Sequence, residues 1–268
     1  MIRNKLLNRI GEKRANNFGS VMILEEYHNN QDILVRFIES GNTVKTKWKH
    51  FSEGNVKNVY DKSICGVGYV GEGKYRTRVD NKRTEQYRTW KAMIYRCYNS
   101  EHHKKHPWYS DCVVCEEWYN FQVFAKWYDE NYYEIEGQKM AIDKDILVKN
   151  NRVYSPDNCV FVPSRINNLF LKGKSKRGKL PIGVSLEKAT GKFVAKSNNA
   201  EGRTIRIGAY TNSKEAFEAY KKFKEKIIKQ TADGYRELIP NKLYNAMINY
   251  TIEISDWIGD INWQKMNF

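Results

Sequence analysis

Residues 141–172 constrain the fold more closely than any other stretch of the chain. They contain an apolar run at residues 142–148, a turn-forming Asn-Asn pair at 150–151 and a second apolar run at 159–162. A short segment with helical periodicity follows at residues 164–171. Short apolar runs separated by a turn predict two strands, and the periodic segment after them predicts a helix. The expected order is therefore strand, strand, helix.

Alternating apolar and polar residues predict sheet structure near both ends of the chain. Three short runs lie between residues 19 and 48, with Gly and Asn residues between them, and they predict a small antiparallel β module. Three further runs lie between residues 180 and 210, and a long helical pattern follows them. Ser213 is the expected cap of this helix, because its hydroxyl group can accept a hydrogen bond from an unpaired backbone N–H group.

These patterns predict an α+β fold with several modules. Aromatic residues recur at helical spacing in residues 87–98 and from residue 116 onwards, which predicts scaffold helices with buried aromatic faces. The expected modules are an N-terminal β module at 1–78, a ββα domain with flanking helices at 79–172, a basic linker at 173–179, a sheet-and-helix domain at 180–232 and a helical tail at 233–268.

The charge of the chain predicts a polyanionic partner. The formal net charge is +15, from 46 Lys and Arg against 31 Asp and Glu. Each cation set against a phosphate releases condensed counterions, which favours binding to nucleic acid. An anionic membrane is the alternative polyanion, but the chain lacks a run of about 18 apolar residues, so we expect no membrane-spanning segment. Residues 1–17 lack the apolar core of a signal peptide, and the expected location is the cytoplasm.

The five cysteines predict reduced thiols, because no export signal is expected and the number is odd. Cys112 and Cys115 form a Cys-x-x-Cys motif, and Cys97 and Cys159 are the further thiols that we consider for a four-sulfur zinc site. The alternative is four core thiols, since Cys97 lies on the apolar stripe of a helix and Cys159 begins an apolar strand. Both interpretations remain open from the sequence.

Three segments within residues 87–168 carry a more specific pattern. They read YRTWKAMIYRCYN, VCEEWYNFQVF and IDKDILVKNNRVYSPDNCVFVPSRINN. In their residues and order they resemble the phage-borne HNH endonuclease family, which has a ββα-metal core. The resemblance implies a phage or prophage protein that uses one divalent ion to hydrolyse a phosphodiester bond in DNA.

The resemblance also implies roles for individual residues. Asp143 matches the metal ligand on the strand, and Asn167 or Asn168 matches the ligand on the helix, with Mg²⁺ or Mn²⁺ as the ion. The next position, where well-known members of the family carry the catalytic His, holds Lys144. An ordinary lysine is protonated at neutral pH and is a poor base, so we expect Lys144 to steady a phosphate. Since alternate residues of a strand point the same way, Asp145 is expected beside Asp143, as a second ligand or a water-orienting group.

A histidine-rich loop offers an alternative source of the missing base. His102, His103 and His106 lie in the sequence EHHKKHP. A solvated surface or a contact with phosphate is the other interpretation of such a charged loop.

The sheet-and-helix domain resembles the APETALA2-type DNA-binding domain. The matching positions are Gly183, Val184, Gly191, Lys192, Phe193, Ala195, Gly208, Tyr210, Glu215, Ala216, Ala219 and Tyr220. The resemblance implies a three-stranded sheet that enters the major groove of duplex DNA. The cations expected to contact DNA are Lys188, Lys192, Lys196, Arg203 and Arg206, together with Arg177 of the linker.

Arg203 and Arg206 are the residues that we expect to read bases, because Arg can bind the edge of guanine in a bidentate manner. The cations of the following helix are expected to form a solvated face instead. They are Lys221, Lys222, Lys224, Lys226 and Lys229.

The leading functional hypothesis is a metal-dependent endonuclease that acts on double-stranded DNA. The alternative is a protein that retains the HNH-like scaffold without its chemistry. Such a protein would be a DNA-binding regulator, or an anti-CRISPR-like phage inhibitor that binds a host defence protein or nucleoprotein. RNA binding is a third hypothesis, which the charge permits and the resemblance disfavours.

Overall fold

The computed structural model describes residues 9–170, 180–199 and 202–253. The predicted α+β class is confirmed, with an antiparallel sheet near the N-terminus and a three-stranded antiparallel sheet with a packed helix nearer the C-terminus. The chain divides into two compact units, Met1–Glu130 and Asn131–Phe268. This division falls inside the predicted ββα domain of residues 79–172, and the module boundaries stay a prediction.

The first unit begins with a four-stranded antiparallel sheet in sequential order. Its strands and the helix after them are β1 (Lys13–Ala15), β2 (Val21–Asn29), β3 (Asp32–Phe37), β4 (Thr43–Thr46) and α1 (Trp48–Ser52). Alternate side chains of β2 and β3, including Leu24 and Val35, form a buried core with Phe51 of α1. The predicted N-terminal β module is thus present, and its third run ends in a helix.

Helices with buried aromatic residues make up the rest of the first unit. The elements are β5 (Arg78–Val79), β6 (Lys82–Arg83), α2 (Glu85–Tyr98), α3 (Ser100–Lys105), a 3-10 turn (Pro107–Tyr109), β7 (Val113–Val114), a 3-10 turn (Glu116–Tyr119) and α4 (Phe121–Asn131). Trp90 of α2 is fully buried, and its indole Nε1–H donates to the carbonyl oxygen of Trp118 at 2.7 Å. The aromatic stripes are buried in the core, as expected. The helix predicted from residue 116 is α4, which begins only at Phe121, after a 3-10 turn.

The second unit contains the two predicted strands and the predicted helix, with one further short strand between the two strands. The elements are β8 (Met140–Asp143), β9 (Val153–Tyr154), β10 (Val160–Pro163), α5 (Ser164–Asn167) and a 3-10 turn (Asn168–Phe170). Strands β8 and β10 pair antiparallel, with Asp143 opposite Val160 and Met140 opposite Pro163. The first strand is shorter than the apolar run at 142–148 indicated, because it ends at Asp143.

The second unit continues with the predicted sheet and two helices. They are β11 (Val184–Glu187), β12 (Lys192–Asn198), β13 (Thr204–Tyr210), α6 (Ser213–Gly234) and α7 (Asn241–Ile248). The strands pair in the order β11-β12-β13. Asn212, and not Ser213, is the cap of α6, because its Oδ1 accepts from the backbone N–H of Glu215 at 2.9 Å. Both residue types cap helices well, and here the helix begins one residue earlier than the sequence suggested.

Helix α6 joins the ββα motif to the three-stranded sheet within the second unit. Near its N-terminus, Phe217 and Tyr220 pack in the core beneath the sheet. Farther along, Ile228 and Ala232 belong to the cluster that contains Ile166 of α5. Among the described residues, no helix combines the length and the apolar character needed to cross a membrane.

Candidate functional site

Asp143 is the last residue of β8, where the chain leaves the small sheet. Its Oδ1 accepts hydrogen bonds from the backbone N–H groups of Asp145 and Ile146, both at 2.8 Å. An Asp side chain that binds the backbone just ahead of it favours a turn over a continued strand. Asp145 therefore lies in a loop, and the prediction that it shares a strand face with Asp143 is wrong.

The electrostatic setting of Asp143 favours a cation. Burial raises the pKa of Asp143 to about 6, and the carboxylate of Asp145 acts in the same direction. The backbone N–H groups of Asp145 and Ile146 oppose this rise because they stabilise the ionised form. A partly buried carboxylate beside a second carboxylate gains from a bound positive charge, and its oxygen atoms are the ligands that Mg²⁺ prefers.

Lys144 supplies a positive charge from within the chain. It is only 6% exposed, and its Nζ lies 3.3 Å from Oδ2 of Asp145. The same ammonium group lies 5.8 Å from the centre of the Tyr154 ring, within the range of a cation–π contact. These contacts anchor Lys144 inside the loop, and its role in steadying a phosphate stays a prediction.

Asn151 fixes the loop that carries these charges. Its Nδ2 donates to the carbonyl oxygens of Lys144 and Val153, both at 2.7 Å. The backbone N–H of Val153 returns a hydrogen bond to Oδ1 of Asn151 at 3.2 Å. The sequence indicated only a turn at this residue. The turn-forming Asn-Asn pair was the available signal, but it did not reveal which backbone groups the amide would bind.

Asn167 and Asn168 follow at the end of the motif. Asn167 is the last residue of α5, and Asn168 begins the 3-10 turn after it. Helix α5 contacts both β8 and β10, so Asn167 belongs to the same small motif as Asp143. Asn167 is partly buried and Asn168 is exposed. Direct contacts thus join Asp143, Lys144 and Asp145, whereas the two asparagines share their motif without a hydrogen bond to them among the described residues.

The described residues contain no group of three or more His, Cys, Asp or Glu side chains that could together hold a metal ion. An ion bound by Asp143 and the amide oxygen of Asn167 needs no such group, since Mg²⁺ keeps several waters and uses one or two protein ligands. Zinc binding by the cysteines stays a prediction. Of the four thiols considered for it, three are buried and one is partly buried. The buried thiols are Cys97, Cys112 and Cys159, and the partly buried one is Cys115.

The histidine-rich segment has its own local contacts in the first unit. His102 and His103 lie in α3, and the ring centres of His102 and His106 are 4.5 Å apart. A ring nitrogen of His103 lies 2.9 Å from the carbonyl oxygen of Arg96. Burial lowers the pKa of His102, and neighbouring cationic groups act in the same direction. These contacts order the helix, and a catalytic role for the segment stays a prediction.

The sheet of the second unit carries exposed cations, as the sequence suggested. Lys192 and Lys196 are exposed residues of β12, the register shifts between Ala195 and Lys196, and Lys196 is directly opposite Arg206 of β13. Lys188 lies in the turn after β11 and Arg203 directly precedes β13, so neither of these two expected DNA contacts is part of a strand. Arg177 and the linker at 173–179 lie outside the described residues.

Arg206 has an acidic partner that the sequence analysis missed. Its guanidinium group donates to the two carboxylate oxygens of Glu187, at 2.7 and 3.4 Å. This hydrogen bonding is the main cause that lowers the pKa of Glu187 to about 2, with a further contribution from the hydroxyl of Thr190. The signal in the sequence was the acidic residue that ends β11, which lies beside Arg206 only in the folded sheet. The result is a cationic surface with one Arg held in a defined orientation.

No family model, no curated protein and no solved structure matches this chain. The chemistry of the site is therefore argued from its own contacts. In the second unit these are a carboxylate with a raised pKa at the end of β8 and a row of exposed cations on β12 and β13.

Proposed function

We propose that this chain binds double-stranded DNA through the exposed cations of the three-stranded sheet in its second unit. The observation that carries the proposal is the cross-strand pair Lys196 and Arg206, with Lys192 also exposed on β12. A cluster of exposed cations on a sheet is suited to a polyphosphate, because each ion pair with a phosphate releases counterions. The net charge of +15 agrees with such a partner.

Within this surface, Arg206 is the residue suited to base recognition. The major groove admits a small sheet, and a guanidinium group can bind O6 and N7 of guanine together. Glu187 holds the same guanidinium group in one orientation through two hydrogen bonds. We assign the lysines to phosphate contacts, since Lys acts as a point charge without directional base pairing.

Fluorescence anisotropy with labelled duplex DNA tests the proposal. Arg206→Lys is expected to weaken binding to a preferred sequence by about 10-fold, as expected for loss of a bidentate contact. Lys192→Met should weaken binding to all sequences and reduce the salt slope by about 0.9, the value for one phosphate contact. Lys226→Met, an exposed cation of α6, is the matched control. Equal affinity in all three variants would exclude this surface.

A second candidate function is the hydrolysis of a phosphodiester bond in DNA with one Mg²⁺ or Mn²⁺ ion. The ββα order and the position of Asp143 at the end of β8 favour it. In this proposal Asp143 and Asn167 would hold the ion, with Asn168 as the alternative helix ligand, and a bound ion would supply charge stabilisation for the leaving oxygen. The protein would act in the cytoplasm of a host cell of a phage or prophage.

Plasmid nicking in the presence of Mg²⁺ or Mn²⁺ tests the hydrolysis. Asp143→Asn should abolish nicking and leave DNA binding intact, because the cations of β12 and β13 are unchanged. Asp157→Asn, which removes an exposed carboxylate from the same motif, should leave nicking unchanged.

The buried ammonium of Lys144, which occupies the position of the family's base, favours a form without nuclease activity. If purified protein binds duplex DNA and cuts none across a broad set of sequences and metals, the chain is a DNA-binding regulator or a phage inhibitor of a host defence complex. Competition between duplex DNA and duplex RNA at equal salt shows which of the two the protein binds more tightly. Tighter binding of duplex DNA excludes the RNA-binding hypothesis.

A further inference from the structure

A cavity of about 200 Å³ lies within the second unit, and Asp143 is not among the residues that line it. It is bounded by the 3-10 turn after α5, the strands β12 and β13, and one face of α6. Its polar wall comprises Asn168, Lys196, Ser197, Asn198, Thr204 and Lys224. The opposite wall is largely apolar and includes Phe170, Tyr220, Ile228 and Tyr250.

Lys224 distinguishes this cavity from an ordinary gap in the core. It lies on α6 between Tyr220 and Ile228, at the four-residue spacing of one helix face, and only 7% of it is exposed. The sequence analysis had placed it on the solvated face of the helix, which is wrong. Its neighbour Lys221 pairs with Glu225 and Glu253. No carboxylate among the described residues lies within ion-pair distance of Lys224.

A largely buried cation without a counter-charge is costly, because burial removes part of its hydration without supplying an ionic partner. Burial accordingly lowers the pKa of Lys224. An apolar residue would suit the periodicity of this helix face at lower cost. The presence of Lys at this position therefore indicates a negative charge that the described residues do not supply.

The other polar groups of the cavity favour an anion as well. None of the described residues that line it is Asp or Glu. The hydroxyl of Thr204 donates to Oδ1 of Asn198 at 3.0 Å, which leaves Nδ2 of Asn198 as a donor. Lys196 adds a second cation, and the amide of Asn168 adds further donors. Two cations and several amide and hydroxyl donors match the oxygen atoms of a phosphate.

We propose that this cavity binds a phosphate group, with Lys224 as its buried counter-charge and Lys196, Asn198 and Thr204 at its entrance. The apolar wall leaves room for a group attached to the phosphate, and the Phe170 and Tyr250 rings there meet edge to face at 4.8 Å. The phosphate belongs either to a small molecule in solution or to a nucleic-acid chain. The cavity shares Lys196 with the proposed DNA surface and Asn168 with the second candidate function, but the inference goes beyond both because its central residue is Lys224 and the cavity contains neither Arg206 nor Asp143.

Titration calorimetry on the full chain tests the proposal with three probes at equal ionic strength. They are inorganic phosphate, adenosine monophosphate, and one oligonucleotide with and without a 5′-phosphate. Lys224→Met keeps the length of the side chain and removes its charge, and it should weaken phosphate binding by about 10-fold to 100-fold. Lys226→Met changes an exposed lysine of the same helix and should bind as the wild type does. Lys224→Gln is the second variant if the Met variant does not fold.

The probes also separate the two sources of phosphate. Binding of inorganic phosphate or the mononucleotide that depends on Lys224 supports a small-molecule site. The alternative result is that the 5′-phosphate raises the affinity for the oligonucleotide in the wild type and not in Lys224→Met. That result supports a site for the 5′ end of a nucleic-acid chain. The proposal is overturned if no probe shows a phosphate-dependent signal, or if Lys224→Met and Lys226→Met bind all probes equally. Loss of duplex binding in Arg206→Lys has no bearing on these outcomes, so the two proposals fail separately.

Discussion

The guanidinium group of Arg206 is bound to the carboxylate of Glu187 across the face of β12, with hydrogen bonds of 2.7 and 3.4 Å. The pair places a negative charge inside the surface that we propose for DNA. A carboxylate there repels phosphates, and it also keeps an exposed Arg from sampling many orientations. Glu187 is thus expected to lower affinity for DNA in general and to sharpen the choice of sequence.

Glu187→Gln tests this role. Removing the charge should raise affinity for unrelated duplex DNA by about 3-fold to 10-fold, because one repulsive charge is lost and Arg206 becomes available to phosphates. Selectivity between sequences should fall at the same time. Anisotropy measured over a range of salt concentrations is the assay, and Glu218→Gln, an exposed carboxylate of α6, is the control. Lower affinity in Glu187→Gln would show instead that Glu187 orients Arg206 for binding.

Much of the fold followed from the sequence because apolar periodicity is a local property. The alternation in β2 and β3, and the two apolar runs that became β8 and β10, each identified a buried face. The end of β8 did not follow, because it depends on Asp143 accepting two backbone hydrogen bonds ahead of it. The apolar pattern of a sequence does not indicate where a side chain will bind backbone N–H groups in place of a neighbouring strand.

The candidate site could be predicted only in part, since charge counts do not reveal partners. Exposed cations on β12 and β13 were predicted from composition and resemblance. The pairing of Glu187 with Arg206 depends on cross-strand register, and the burial of Lys224 depends on how α6 packs against the turn after α5. Both features depend on tertiary structure. The local sequence of a lysine-rich helix does not indicate which lysine is buried.

The raised pKa of Asp143 predicts how stability depends on pH in the absence of metal. Its pKa of about 6 in the folded protein exceeds the ordinary value of 3.8, so between these values the folded protein binds more protons at this residue than the unfolded chain. The free energy of unfolding should therefore fall as pH rises through this window, by about 2–3 kcal/mol. Asp143→Asn keeps the Oδ1 acceptor and should remove this fall.

Urea unfolding between pH 4 and pH 7 in the presence of EDTA measures the effect. Asp157→Asn changes an exposed carboxylate of the same motif and serves as the control. An identical pH dependence in wild type and Asp143→Asn would show that this carboxyl group titrates normally.

Asn151 predicts a stability effect that is independent of charge. Asn151→Ala removes two donated hydrogen bonds of 2.7 Å and leaves the carbonyl oxygens of Lys144 and Val153 without them. The expected loss is about 1–3 kcal/mol in the free energy of unfolding. Thermal and urea unfolding measure it, with Asn245→Ala on the exposed face of α7 as the control. A loss no larger than that of the control would mean that water replaces both hydrogen bonds.

Lys144→His tests whether the ββα motif lacks only a base. The family resemblance implies a His at this position, whereas Lys144 is anchored to Asp145 at 3.3 Å and lies near the Tyr154 ring. If Asp143 and Asn167 bind a metal ion, an imidazole next to Asp143 can accept a proton from the attacking water. Nicking of plasmid DNA with Mg²⁺ should then rise by about 100-fold over the wild type, the usual contribution of general base catalysis.

The variant Lys144→Gln is the matched control for this experiment, since it removes the charge and supplies no base. It should not gain activity. The double variant Asp143→Asn with Lys144→His should also be inactive, which ties any gain to the metal ligand and excludes a contaminating nuclease. If Lys144→His folds, binds duplex DNA and still does not cut, the motif does not hold a metal in a catalytic position, and DNA binding alone is the function that the second unit supports.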